Sequence, residues 1–233
     1  MDAQIKAKAA TRIAKPDSEL VKPGELGIIL ELTVKDKDGK VTDHRIMKAR
    51  SFVRQFLELL YVQMQQYYWG GSGQPYRETV LYMTDRNGYR RPVVACYSYQ
   101  DGIFNCDGGV GDTNIGIMVG TGTTPPNIDD HALQAQCGHG SGAGQFSHGA
   151  VTFGLPTSDA TTSHFTVTRD FSNNSGALIT VNEVGLYVAA LAVQYNGYVE
   201  DAYFMIIRDV ISGGVNVPSG QTLTVNYREQ ATV

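Results

Sequence analysis

The chain has 233 residues, 42% hydrophobic side chains and a formal net charge of -4, enough apolar material for one large β domain or two small ones. Because the sequence pI is near 5.7, the composition disfavours binding to nucleic acid or to an anionic membrane. No run of about 18 apolar residues is present, and residues 1–15 lack the apolar centre of a secretory signal. We therefore expect a protein without a membrane segment, made in the cytoplasm.

Cysteine and glycine usage favours a β architecture. Cys96, Cys106 and Cys137 are an odd set without CxxC spacing, so they predict neither a disulfide framework nor a typical zinc site. The 26 glycines and 13 tyrosines are typical of many turns that join strands with amphipathic faces.

Residues 1–24 predict an extended arm rather than part of a core. The segment has two prolines, little apolar bulk and five basic side chains, so it cannot bury a core of its own. It is either a frayed terminus or an arm that becomes ordered on a neighbouring subunit. In the second case Lys6 and Arg12 are candidate interface residues.

Two hairpins are predicted before residue 100. The stretches 26–34 and 41–48 flank an Asp-Gly dipeptide, and strands over 79–83 and 92–99 flank an Asn-Gly dipeptide. Both dipeptides readily adopt the positive φ angles of tight β turns.

One helix is predicted over 51–68, with Ser51 as its N-cap. Apolar residues recur at spacings of three and four, which is the period of an amphipathic helix. We expect Phe52, Phe56 and Leu60 to pack against a sheet, and we regard docking on a membrane or partner as the alternative.

A cluster of aromatic residues follows the helix among glycines: Tyr67, Tyr68, Trp69 and Tyr76. Aromatic side chains on a flexible loop anchor interfaces or stack on sugars. We favour an interface or core role, because no matching set of acids and amides lies nearby in sequence. Binding of a host glycan is the alternative.

The loop at 120–126, GTGTTPP, superficially suggests phosphate binding. It does not match a P-loop, since no Gly-Lys-Ser/Thr follows and the two prolines prevent a helix from starting there. Asp129 and Asp130 lie beside His131, but adjacent residues on an extended chain point to opposite faces, so we expect turn or capping roles for them.

The glycine-rich segment 137–149 contains one thiol and two imidazoles, which are suitable zinc ligands. A fourth ligand would have to come from elsewhere, so we predict no metal and keep a metal-dependent hydrolase as an alternative. We expect this segment to contact other subunits, and the candidate interface residues are Cys137, His139, Phe146 and His148. No nucleophile-elbow motif occurs, and we predict neither a catalytic site nor a cofactor.

The last third of the chain is the clearest β sequence. Strands over 164–171 and 177–191 are predicted to pair with each other, and strands over 203–210 and 221–227 follow. Arg169 and Glu183 each interrupt an apolar register, so we expect them to form a buried ion pair.

Three segments resemble structural proteins of tailed-phage virions, of a tail-, fibre- or capsid-associated type with a C-terminal β domain. They are IGIMVGTGTTPP at 115–126, FTVTRDFSNNSGALITVNEVGLYV at 165–188 and IIRDVISGGVNVPSGQTLTVNY at 206–227. The resemblance spans about half of the chain. It implies a virion location and contacts with other virion proteins and with copies of the same chain, without catalysis. The position in the particle (tail, baseplate, connector or capsid surface) stays open, because the long 129–162 insertion departs from shorter relatives.

The sequence therefore predicts a mainly β protein, an antiparallel β-sandwich or jelly roll with one long helix and an extended N-terminal arm. Three regions are expected: the arm at 1–24, a hairpin, helix and strands at 25–100, and an antiparallel β domain at 101–233.

Overall fold

A computed structural model describes residues 20–49, 52–65, 81–94, 104–193 and 199–233. Within these residues the predicted mainly β fold with one helix is confirmed. The strands are β1 (Leu26–Lys35), β2 (Val41–Ala49), β3 (Leu81–Thr84), β4 (Arg90–Val94), β5 (Gly116–Gly120), β6 (Ser147–His148), β7 (Thr152–Phe153), β8 (Thr157–Ser158), β9 (Thr162–Ser172), β10 (Ile179–Val193), β11 (Val199–Val217) and β12 (Thr222–Thr232), and the helix is α1 (Arg54–Gln65).

The strands form two antiparallel sheets whose inner faces build a shared core. The first sheet has the order β2-β1-β12-β9-β6, and β7 and β8 also pair with β9. The second sheet has the order β11-β10-β4-β3, and β5 pairs with β10. Side chains of both sheets belong to one hydrophobic cluster, as in a β-sandwich. The predicted regions 25–100 and 101–233 are not separate in space, because β1 pairs with β12 and β4 with β10.

Inward-facing residues of β1, β12 and β9 form successive rows across the first sheet. Each row is defined by the antiparallel register of the three strands. The rows are Val34–Leu223–Phe171, Leu32–Val225–Arg169, Leu30–Tyr227–Val167 and Ile28–Glu229–Phe165. The second row thus contains a buried cation, Arg169, and the fourth row contains a carboxyl group, Glu229.

The strands in the last third of the chain pair differently from the prediction. The expected pairing of 164–171 with 177–191 is wrong, because β9 pairs with β12 in the first sheet while β10 pairs with β11 in the second. The turn between β9 and β10 crosses from one sheet to the other. The fully buried Asn173 closes this turn by donating its amide hydrogens to the carbonyl oxygens of Ala177 (2.8 Å) and Val217 (2.7 Å).

Both predicted hairpins are present in the described residues. β1 pairs with β2 and β3 pairs with β4. Gly39 and Gly88 adopt positive φ angles of 79° and 86° in the turns, which is the conformation that glycine tolerates without strain. Residues 79–80 and 95–99 of the predicted strands lie outside the described residues.

The helix begins at Arg54, later than predicted, and a different face is buried. Residues 66–68 of the predicted helix lie outside the described residues. Leu59 and Val62 are in the core, and Phe52 and Phe56 are partly buried against it. The prediction for Leu60 is wrong, because this side chain is 37% exposed. The helix has apolar residues on more than one face, so the periodicity alone did not select the face that packs. Ser51, the predicted cap, lies outside the described residues.

The second sheet is covered on its outer face as well. Met118, Leu133, Tyr187, Met205 and Val53 form a separate cluster there. The Tyr187 hydroxyl accepts a hydrogen bond from the Leu133 amide at 2.6 Å, which holds the long loop after β5 against the sheet. Burial on both faces explains the nearly continuous apolar sequence of β10. Within the described ranges, the helix lacks the length and apolar character needed to cross a membrane.

Candidate functional site

An apolar stripe on the outer face of α1 is exposed to solvent. We call Leu57, Leu60, Tyr61 and Met64 the α1 stripe; their exposed fractions are 64%, 37%, 49% and 76%. This spacing places all four side chains on one helix face, away from the buried Leu59 and Val62. An amphipathic helix normally turns a polar face to solvent, so the α1 stripe is a candidate contact surface.

The start of α1 is fixed to the loop at 127–130. The Arg54 amide donates to the Ile128 carbonyl at 2.9 Å, and the Arg54 side chain forms an ion pair with Asp129. Asp130 accepts a hydrogen bond from the Asn127 amide at 2.8 Å, so its predicted turn role is confirmed. It also pairs with Arg208 at 2.7 Å.

Arg169 is completely buried, and among the described residues its guanidinium forms no ion pair with a carboxylate. Its guanidinium donates to backbone carbonyls at 2.7–3.3 Å, namely those of Gly109, Asp112, Ile115, Ile117 and Gly149. Ile115 directly precedes β5 and Ile117 lies within it, so two of these hydrogen bonds hold the start of that strand. Desolvation lowers the pKa of Arg169.

Glu183 forms its ion pair with Arg208 instead, so the predicted Arg169–Glu183 pair is wrong. The carboxylate of Glu183 accepts from Arg208 Nε (3.0 Å) and Nη2 (2.9 Å). It also accepts from the amides of Gly122, Gln134 and Ala135. Glu183 lies on the outer face of the second sheet and Arg169 between the sheets. Sequence alternation showed that each charge is buried but not on which face.

Backbone amides of the loop at 120–126 donate hydrogen bonds to side chains of the same chain. The Thr123 and Thr124 amides both donate to Gln134 Oε1 at 2.9 Å. At Gly122, an added Cβ would lie 2.5 Å from Glu183 Oε1, so glycine permits the close approach of this loop. The amides that a phosphate group would need are therefore occupied by side chains of the same chain.

Three residues of the glycine-rich segment 137–149 are buried in the protein interior. Cys137, Phe146 and His148 are 3%, 0% and 1% exposed, so their assignment as interface residues is wrong. The segment folds back on itself, since the Phe146 amide donates to Gly138 and the Gly140 amide donates to Phe146. His139 is exposed, and its interface role stays a prediction.

The predicted metal candidates do not form a ligand set. The rings of His139 and His148 are 5.5 Å apart, and His139 Nδ1 accepts the His148 amide at 3.1 Å. Burial raises the pKa of Cys137 to about 11 and lowers that of His148 to about 4. The described part of the chain contains no cluster of three or more His, Cys, Asp or Glu side chains able to hold a metal ion.

Several predicted residues lie outside the described residues. These are the arm residues Lys6 and Arg12, the aromatic residues Tyr67, Tyr68, Trp69 and Tyr76, and Cys96. The two described cysteines, Cys106 and Cys137, are free thiols.

A second feature was missed in the sequence. An apolar cavity of about 310 Å³, which we call the sheet-end cavity, lies between the two sheets beside α1. Its lining residues are apolar apart from Glu229: Leu26, Ile28, Phe52, Phe56, Phe104, Cys106, Phe153, Phe165, Val167, Leu186, Val188, Ile206 and Ile207. The signal for Glu229 was its alternation with Leu223, Val225 and Tyr227, which places it on the inner face of β12.

No family model matches the chain, and neither a curated protein nor a solved structure matches it.

Proposed function

We propose that this chain is a structural subunit of a tailed-phage virion, acting through contacts with copies of itself and with other virion proteins. The observation that carries the proposal is the α1 stripe, because a contiguous apolar surface turned to solvent marks a protein–protein contact. The proposed role involves neither a catalytic step nor a cofactor.

The size of the α1 stripe fits a weak contact that repetition in a large assembly strengthens. When two copies pack stripe to stripe, burying the exposed portions of both contributes about 7–14 kcal/mol, whereas bringing two free proteins together costs about 4–15 kcal/mol. One such contact is therefore marginal between free subunits. Repeated contacts in a closed particle would add up, because each later contact forms between subunits already held together.

The occupant that we propose for the α1 stripe is α1 of a second copy. The helix carries one cation, Arg54, and one anion, Glu58, so two copies can approach without a net like-charge repulsion.

The resemblance to tailed-phage structural proteins is the reason for proposing a virion as the assembly. The segments 115–126, 165–188 and 206–227 contain β5 with its loop, β9 with β10, and most of β11 and β12. The resemblance therefore falls on the body of the sandwich, while α1 lies outside it. On this proposal the sandwich is the part that resembles the phage proteins, and α1 forms a contact particular to this chain.

The test is the protein content of purified virions from a phage that encodes the chain. We expect the wild-type chain in many copies per particle by quantitative mass spectrometry. Absence from the particles would overturn the proposal. The Leu57→Lys/Met64→Lys double variant should enter particles at least about tenfold less well than wild type, because each lysine places a charge in the contact.

Leu178→Lys is the matched control, since Leu178 is also an exposed leucine, at 58%, but lies in the turn before β10. Normal incorporation of this variant is expected. Normal incorporation of the double variant as well would remove the α1 stripe from the proposed contact.

A further inference from the structure

We infer that the sheet-end cavity is a binding site for a small apolar molecule carrying one protonated amine, with Glu229 as its counter-ion. This inference is independent of the proposed role in a virion. It follows from the shape of the cavity, its lining and the placement of one carboxyl group within it.

The cavity has the size and lining of a ligand site. Its volume of about 310 Å³ lies in the range of small-molecule pockets. Phe52 and Phe56 lie with ring centroids 4.3 Å apart, and Phe104 lies 6.1 Å from Phe56, so one wall is aromatic. The rim includes Leu26, Phe153 and Phe165, whose exposed fractions are 65%, 49% and 39%, which gives an apolar entrance.

Glu229 is the polar group in this lining, and its charge is not compensated there. Its neighbours across the strands are Ile28 and Phe165, which are both apolar. Its Oε2 atom is buried and has no hydrogen-bond partner within the described residues. Burial raises the pKa of Glu229 to about 7.

Within the described residues, the ionisable groups that contact the surroundings of Glu229 do not supply a cation. Burial raises the pKa of the Cys106 thiol to about 12 and that of the Tyr227 hydroxyl well above 10, so both are neutral near pH 7. Tyr227 donates its hydroxyl hydrogen to the Asp209 carboxyl group at 3.3 Å. The described side chains next to Glu229 in the cavity lining therefore supply no cation, which favours a ligand cation there.

An ammonium group fits this position better than other polar groups. It would pair with the Glu229 carboxylate, donate a hydrogen bond to Oε2 and face aromatic rings that attract cations. A neutral alcohol would supply the hydrogen bond alone. A carboxylate would have to share protons with Glu229, because two buried like charges repel.

The experiment compares n-octylamine, n-octanol and octanoate by isothermal titration calorimetry with the full chain. We expect octylamine to bind most tightly and octanoate least tightly. Because Glu229 must lose its proton to pair with the amine, the affinity for octylamine should rise about tenfold per pH unit from pH 5 to pH 7 and then level off. Titrations in buffers of different ionisation enthalpy should show nearly one proton released at pH 6.

Glu229→Gln should abolish proton release and the pH dependence, and weaken octylamine binding at pH 8 by at least about tenfold, with little effect on octanol. Glu58→Gln is the matched control, because Glu58 is a partly buried carboxyl group outside this cavity, and it should bind octylamine like wild type. Val188→Met should weaken both octylamine and octanol, because it adds atoms inside the cavity.

Failure of wild-type protein to bind octylamine would overturn the inference. Equal binding of octylamine and octanol, independent of pH, would also overturn it, since Glu229 would then have no role. If the Gln variant does not fold, wild-type proton release alone decides between these outcomes.

Discussion

Arg169 and Glu229 are both charged residues on the inner face of the first sheet, but their surroundings differ sharply. Arg169 directs its donors at five backbone carbonyls, whereas Glu229 Oε2 has no partner in the described part of the chain. A fully hydrogen-bonded buried ion organises the backbone around it, while an unpaired one is a cost to the fold. The comparison shows that the partners of a buried charge, rather than the charge itself, separate a structural residue from a candidate binding residue.

The largest expected effect follows from removing the hydrogen-bonded cation. Arg169→Met keeps an unbranched side chain but leaves buried carbonyls without donors, so we expect a loss of about 3–5 kcal/mol in the free energy of unfolding. Urea denaturation checks this. Arg169→Lys should recover only part of the loss, because an ammonium cannot reach carbonyls on several segments at once. A Lys variant as stable as wild type would show that the charge matters and the multiple hydrogen bonds do not.

Removing the unpaired carboxyl group should have the opposite sign. The pKa of Glu229 is raised from 4.5 to about 7 in the folded chain, so the folded chain keeps a proton that the unfolded chain has lost. The contribution of Glu229 to stability is therefore full below pH 4.5 and is lost as pH rises through about 7, by about 3 kcal/mol. We expect Glu229→Leu to be more stable than wild type by about 2–3 kcal/mol at pH 8, with a much smaller gain at pH 4. Thermal unfolding at the two pH values measures the difference, and an equal gain at both would point to packing alone.

His148 belongs to the Arg169 end of the core and should show the reverse pH dependence. Burial is the main cause that lowers its pKa from 6.5 to about 4, so the unfolded chain takes up a proton first as pH falls. The contribution of His148 to stability is thus present above pH 6.5 and is lost between pH 6.5 and pH 4, by about 3 kcal/mol. His148→Phe should flatten this part of the stability curve. An unchanged acid dependence would assign it to other groups.

Tyr227 lies between the rows of Arg169 and Glu229 and should give the smallest effect. Tyr227→Phe removes one 3.3 Å hydrogen bond to Asp209 and leaves the ring in place, so a loss of about 1 kcal/mol is expected. It should also make octylamine binding slightly weaker or leave it unchanged, because Tyr227 does not line the sheet-end cavity. A loss similar to that of Arg169→Met would show that the middle row depends on this bond as strongly as the Arg169 row depends on its carbonyl contacts.

Local sequence was sufficient for the parts of the fold that form between neighbouring residues. Alternating apolar residues identified the strands, Asp-Gly and Asn-Gly identified the β1–β2 and β3–β4 turns, and apolar periodicity identified α1. These features depend on backbone preferences and on a two- or 3.6-residue period, which are properties of short segments.

The sequence by itself determined that the part of the chain seen in the structure is mainly β with one helix, and that Arg169 and Glu183 are buried charges. Only the tertiary structure decided which sheet each strand joins, which face of α1 packs, and which partner each charge finds. An alternating strand has the same pattern in either sheet, so the crossing of the β9–β10 turn at Asn173 leaves no local signal. The surroundings of Glu229 could not be predicted for a similar reason. Whether an inward-facing carboxyl group meets a partner or an apolar cavity depends on residues distant in the chain.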